Sequence, residues 1–199
     1  MMTETKSISE PKLAAPGAGL PSLEWAIAKY ILLPRLFKTR GKSEALAYFA
    51  KESEKIMILS NKLNVPMLAQ RRLIPRLRGL EDSSRYYSVA MTLQHLVIVN
   101  DSIRRVIKDL SGGGTKLVPK GTADFKPNPS VDPESILSSF DQMSQQFLQE
   151  AAAANIDAFP QATFPHPWFG PFNAHKWLVL AGSHQNIHRH QIEEIIAEL

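Results

Sequence analysis

The sequence predicts an all-α protein: an up-down-type four-helix bundle with long crossover loops, preceded by one additional helix. Three observations predict it. Four long stretches repeat their apolar residues with the 3.6-residue period of a helix. The segments between them are dense in proline and glycine. No stretch shows the strict alternation of a half-buried strand.

The 199 residues are 44% apolar and 21% charged, an ordinary globular composition that supports one sizeable core. Residues 1–20 are rich in Ala, Pro, Gly, Ser and charge and read as a flexible tail. Residues 21–199 read as a single domain. A net charge of +4 suits an anionic small molecule and is too slight to indicate nucleic acid. The chain contains no cysteine, which excludes disulfides, thiolate metal sites and a cysteine nucleophile. The first twenty residues lack a secretory pattern. The most apolar early run, WAIAKYILL at 25–33, is broken by Lys29 and is far shorter than the roughly 20 residues of a membrane span. The expectation is a cytoplasmic, soluble protein without a membrane span.

The additional helix covers 22–38, opens at Pro21-Ser22 and ends among Arg35, Lys38, Arg40 and Lys42. Cations suit a helix C-terminus, and a solvated charged end is the preferred reading over a membrane anchor. The first bundle helix covers 43–63 with Ser43 as N-cap and a stripe of Leu46, Phe49, Ala50, Ser53, Met57 and Leu63. The following stretch, with two prolines and the arginines Arg71, Arg72, Arg76 and Arg78, reads as a connection with a short helical turn. Those arginines are expected to be solvated or paired locally, although they could attract an anionic substrate. The second helix covers 84–110 and stops at Ser111-Gly112-Gly113-Gly114. A long loop over 115–131 leads to the third helix, with Asp132 as N-cap and Pro133 at the first helical position. Its stripe is Ile136, Phe140, Met143, Ser144, Phe147 and Ala151. The loop IDAFPQATFPHPWFGPFN is too apolar for an idle surface loop and should close one end of the bundle. Asn173 caps the last helix, 174–198.

Three of the six histidines fall within SHQNIHRHQ, residues 183–191. At about 100° per residue, His184 and His188 lie roughly 40° apart on one face, beside Trp177, Leu180, Ala181, Gln191 and Ile195. His95 lies in the stripe of Ser88, Met91, Thr92, Val99, Ser102, Val106 and Leu110. His175 and His190 point outward and should be solvated, and His166 should serve turn packing. A lone buried imidazole is usually a satisfied core residue, and an HxxxH pair alone is weak evidence. Three imidazoles on the buried faces of two helices would each be costly alone, whereas one divalent ion satisfies all three. Neutral imidazole suits zinc, nickel, iron or copper; zinc is the first expectation, with nickel or iron as alternatives. Three protein ligands leave a coordination position open, as in catalytic sites.

Two segments also resemble a known family. YYSVAMTLQHLVIVN is similar to the second helix of the DinB/YfiT-like superfamily, where an aromatic-Ser pair precedes a His-Leu pair. HPWFGPFNAHKWLVLAGSHQNIHRHQIEEI resembles the final helix of that family, where a His-Pro-x-Phe-Gly lead-in precedes a Trp and an HxxxH pair. The resemblance covers about 43–199 and implies a four-helix bundle with a divalent metal held by His95, His184 and His188. Characterised relatives include bacillithiol transferases and maleylpyruvate isomerase, which implies a thiol-dependent class.

The residues agree with that class without selecting a reaction. A metal with an open position activates a water or a thiol, and the thiol would come from a low-molecular-weight co-substrate. Glu193 and Glu194 point away from His184, and Asp101 from His95, so the HExxH general base of a zincin is missing. Ser88, Ser102 and Gln191 are either helix-buried polar groups or supports for the imidazoles. Trp168, Phe169, Phe172 and Trp177 read as core that could line a pocket mouth. The expected function is a metal-dependent enzyme, a thiol-using transferase or a hydrolase, acting on a small molecule, with a homodimer allowed. The alternative is a non-catalytic metal- or partner-binding bundle.

Overall fold

The computed structural model describes residues 10–114 and 116–199; the expected tail at 1–9 lies outside them. Residues 10–20 form no helix or strand. Ala14 N–H donates to Asp82 at 2.7 Å and Gly17 N–H to Glu81 at 2.6 Å.

Helix α1, Ser22–Ile27, continues through a π-helical turn at Ala28–Leu32 into α2, Leu33–Thr39. Pro34 has no backbone N–H to donate and falls directly after this widened turn. Leu33 is buried and Phe37 packs edge-on against Phe172, with ring centres 5.2 Å apart.

The bundle helices are α3, Lys42–Ser60; α5, Val89–Ser111; α6, Ser135–Ala153; and α7, Ala174–Ala197. A short α4, Val65–Ala69, lies between α3 and α5, with the Asn64 side chain accepting from Met67 N–H. Helices α3 and α5 are each flanked by α6 and α7, which places the core along the common axis. Phe49 and Phe147 stack there at 4.1 Å, beside Phe140, Leu93, Leu96, Leu178 and Ile192. Gly182 lets α3 and α7 approach closely: a Cβ there would lie 2.8 Å from Tyr48 Cδ1 and 3.3 Å from Phe49 N.

The bundle and the additional helix agree with the sequence reading, with local corrections. The second bundle helix starts at Val89 and not at residue 84, because the Ser88 side chain accepts from Met91 N–H and caps it there. Just before it, Tyr86–Tyr87 (β2) pairs antiparallel with Arg72–Leu73 (β1). A second hairpin pairs Phe164–His166 (β3) with Gly170–Phe172 (β4). Both hairpins are two or three residues per strand, too short to show an alternation. Gly41, not Ser43, is the N-cap of α3. Glu134 takes the N-cap position of α6, while the Asp132 carboxylate accepts from Glu134 and Ser135 N–H, so the expected capping group acts from two residues ahead of the N-cap. In α3 the buried face is Ala45, Phe49, Glu52, Ser53, Ile56 and Ser60. It is rotated from the expected stripe because a charged residue, Glu52, turns inward to Arg189 of α7 at 2.5 Å.

The arginines of the connection pair with groups distant in sequence and not with local acids: Arg71 with Glu10, Arg76 with Glu24, and Arg72 with the Glu198 carbonyl. His190 is exposed and bonds Glu193. His175 departs from expectation. It is half-buried, and its Nε2 lies 2.8 Å from the Arg40 carbonyl, because the chain leaving α2 passes over it.

Candidate metal centre

His95 sits in the N-terminal third of α5, and His184 and His188 one turn apart on α7. Because α5 packs directly on α7, the three rings meet: their centres lie 4.4 to 5.3 Å apart, and one nitrogen from each falls within 4.8 Å of the others.

Hydrogen bonding sets which nitrogens face inward. His95 Nδ1 lies 2.8 Å from the Phe125 carbonyl, which can only accept. The proton is therefore on Nδ1, and Nε2 carries the lone pair. His188 is set by a relay. Gln191 Nε2 donates to the Ser84 carbonyl at 2.7 Å, which turns Gln191 Oε1 toward His188 Nδ1 at 2.6 Å. His188 Nδ1 must donate, so its Nε2 is also a lone pair. His184 Nε2 lies 3.1 Å from it, and His184 Nδ1 is buried without a partner. Gln191 thus holds an imidazole, one of the two roles its position on the stripe allowed. Ser88 instead caps α5.

Burial pushes all three imidazoles toward the neutral form. His95 is lowered to about 4, with the nearby Lys126 cation adding to the effect. His184 and His188 are held well below the ordinary histidine range, first by burial and then by the neighbouring imidazoles. His95 and His188 thus turn Nε2 lone pairs inward with their outer protons fixed by carbonyl oxygens, as a divalent first-row ion requires of histidine, while the outer nitrogen of His184 has no such partner. The donor set fits such an ion and can hold one.

The three rings floor a cavity of about 630 Å³. Val99, Val106, Leu117, Phe125, Phe164, Trp168, Trp177 and Leu180 give it mainly apolar walls. Phe164 and Trp168 arrive on the β3–β4 hairpin, where glycine supports the tight return: Gly170 has φ +95°.

Two polar features were not assigned from sequence. Glu81, from the loop before α5, is buried and lines the cavity. It is bonded by Gly17 N–H, Ser83 Oγ and Lys126 Nζ. Burial raises its pKa, but these donors outweigh that and hold it below the ordinary range. These bonds make it a structural anchor for the loop before α5. His166 is more than turn packing. Its Nδ1 accepts from Trp168 N–H at 3.1 Å, leaving the proton on Nε2, and its ring lies between Phe169 and Trp177 on the cavity wall. Neither residue shares a helix stripe with the three converging histidines, so helical periodicity could not connect them.

The relay through Gln191 is testable. Gln191→Leu keeps the volume but frees the His188 ring, and zinc affinity should fall about 10–100-fold. A competition titration against a chromophoric chelator measures this; unchanged affinity would remove Gln191 from the site.

Comparison with known proteins agrees with this architecture. No curated protein matches the chain. Among solved structures it is similar to TT2238, a four-helix bundle protein, with a TM-score of 0.55 and 24% identity over 77% of this chain and 98% of that one. That likeness supports the fold alone. The model of the DinB superfamily matches residues 69–192, a span that contains the three converging histidines, and the chain belongs to the DinB superfamily.

Proposed function

We propose that the protein is a metal-dependent enzyme in which His95, His184 and His188 hold one divalent ion, zinc in the first instance, and that it transfers or hydrolyses a small, mainly apolar substrate. One observation carries this reading: the histidine nitrogens face a roomy cavity. An ion there only for stability would be capped by packed apolar side chains, with no space for a substrate.

A bound divalent ion supplies the Lewis acidity that makes a water or a thiol nucleophilic near neutral pH. The chain's residues supply the rest. Phe125 O and Gln191 Oε1 hold the His95 and His188 rings in one tautomer. The aromatic wall excludes water and favours an apolar substrate body. His166 presents an Nε2–H donor to a substrate oxygen, its ring held by Trp168 N–H. Because the chain has no cysteine, a thiol nucleophile would enter as a co-substrate.

The test is a screen of metal-loaded protein against apolar electrophiles, with and without a panel of low-molecular-weight thiols. Turnover that depends on the metal, and falls in His166→Phe with metal content unchanged, is the expected result. A fully loaded protein inert in both the thiol and the hydrolysis arms would leave the non-catalytic metal-binding reading.

A further inference from the structure

The additional helix raises a separate question. One face of α1 and α2 is fastened to the bundle: Trp25 Nε1 donates to the Trp168 carbonyl at 2.8 Å, Glu24 accepts from Gly79 N–H and pairs with Arg76, and Leu33 is buried. The opposite face carries Leu23, Ile27, Tyr30, Ile31 and Leu32, which are 39 to 75% exposed. Half of the exposed large apolar side chains among the described residues lie on this one helix. The spacing 23, 27, 30, 31 is a helical stripe. The π turn at Ala28–Leu32 widens the arc, which brings Tyr30, Ile31 and Leu32 to the surface together. An apolar strip of this kind, left in water, marks an interaction surface.

Charge selects the partner. The stripe runs into exposed Arg35 and Lys38, and Lys29 lies over the Trp25 and Tyr30 rings, 4.7 and 5.6 Å from their centres. The only carboxylate between residues 22 and 39, Glu24, is turned inward. Two copies apposed through this face would set Arg35 and Lys38 of each against a surface with no acid to receive them. An apolar strip with aromatic and lysine residues at its border and uncompensated cations at one end matches the interface of an anionic bilayer. No helix among the described residues is long and apolar enough to cross a membrane, so the element would lie in the interface plane. We propose that α1–α2 docks the protein on an anionic membrane surface through Leu23, Ile27, Tyr30 and Ile31, with Arg35 and Lys38 meeting the headgroups. The sequence favoured a solvated charged end here; which face the bundle left uncovered is visible only in the fold.

The experiment is co-sedimentation of the full-length protein with vesicles of phosphatidylcholine alone or mixed with phosphatidylglycerol, at low and high salt. Binding to the mixed vesicles should be at least about tenfold tighter and weaken with salt. Ile27→Glu/Ile31→Glu and, separately, Arg35→Glu/Lys38→Glu should each cost at least about tenfold with an unchanged melting curve, since these side chains are exposed. The proposal is overturned by equal binding to both vesicle types, by none to either, or by binding that both variants retain. It is also overturned if light scattering shows a dimer that Ile27→Glu/Ile31→Glu dissociates, which would make the partner a second copy.

Discussion

His95→Ala, His184→Ala and His188→Ala should each bind zinc at least about 100-fold more weakly than the parent, beyond the roughly 10–100-fold expected when only an outer partner is lost. Each change removes one of three converging donors, and no carboxylate stands ready to replace it: Glu81 is bonded to Lys126 and Ser83, and Asp101 to Arg104 and Arg105. His175→Ala and His190→Ala should keep the full metal content, because their rings bond the Arg40 carbonyl and Glu193 away from the cluster. Elemental analysis of protein purified without added metal reads both sets. Since the ion would bind only the folded state, chelation at neutral pH should lower the parent's melting temperature and leave the three variants unmoved. Acid should act in the same direction. An unfolded histidine takes a proton near pH 6.5, while burial holds His95 down to about 4 in the fold. Between these values the unfolded chain binds more protons, so stability falls as pH falls, and protons also compete for the metal. A melting temperature indifferent to chelator at neutral pH would return the three histidines to the core and remove the enzyme reading with them.

Glu52→Gln should have the largest effect on stability among substitutions away from the histidine cluster. Glu52 is 2% exposed and pairs with Arg189 Nε at 2.5 Å across the α3–α7 contact, with Lys55 and Asn186 also donating to it. Burial by itself raises its pKa, but the bonds from Lys55, Arg189 and Asn186 overcome this and hold it at about 2. Removing one partner of a buried pair costs about 3–5 kcal/mol; because Glu193 still pairs with Arg189, the lower end applies, and about 3 kcal/mol in a chain of this size lowers the melting temperature by roughly 6–12 °C. The folded pKa is below the unfolded one, so the contribution is complete above about pH 4.5 and disappears as pH falls toward 2. The gap between parent and variant in thermal melts should therefore be wide at pH 7 and narrow below pH 4. Glu52→Gln/Arg189→Met should recover part of the loss, because the guanidinium, left with Glu193 alone in the single variant, is removed together with its buried partner. A constant gap across pH would show that the carboxylate's charge is not what stabilises this contact.

Helical periodicity by itself determined the four bundle helices, the extra N-terminal helix and the placing of His95, His184 and His188 on inward faces. These are local properties: a side chain's direction on a helix follows from its position in the chain. The cap at Asn173 was legible in the same way, since an amide side chain bonds backbone two or three residues onward. The rest needed the tertiary structure, because it depends on segments far apart in sequence. The Phe125 carbonyl reaches His95 across thirty residues and Ser84 reaches Gln191 across more than a hundred, and these contacts decide the tautomers. Glu52, which a hydrophobic stripe would exclude, is buried because Arg189 lies opposite. The hairpins were missed because their order comes from pairing and not from alternation. His166 and Glu81 belong to the cavity only because loops fold over the bundle's end, and the exposed stripe of α1 and α2 exists only because the bundle needed the other face.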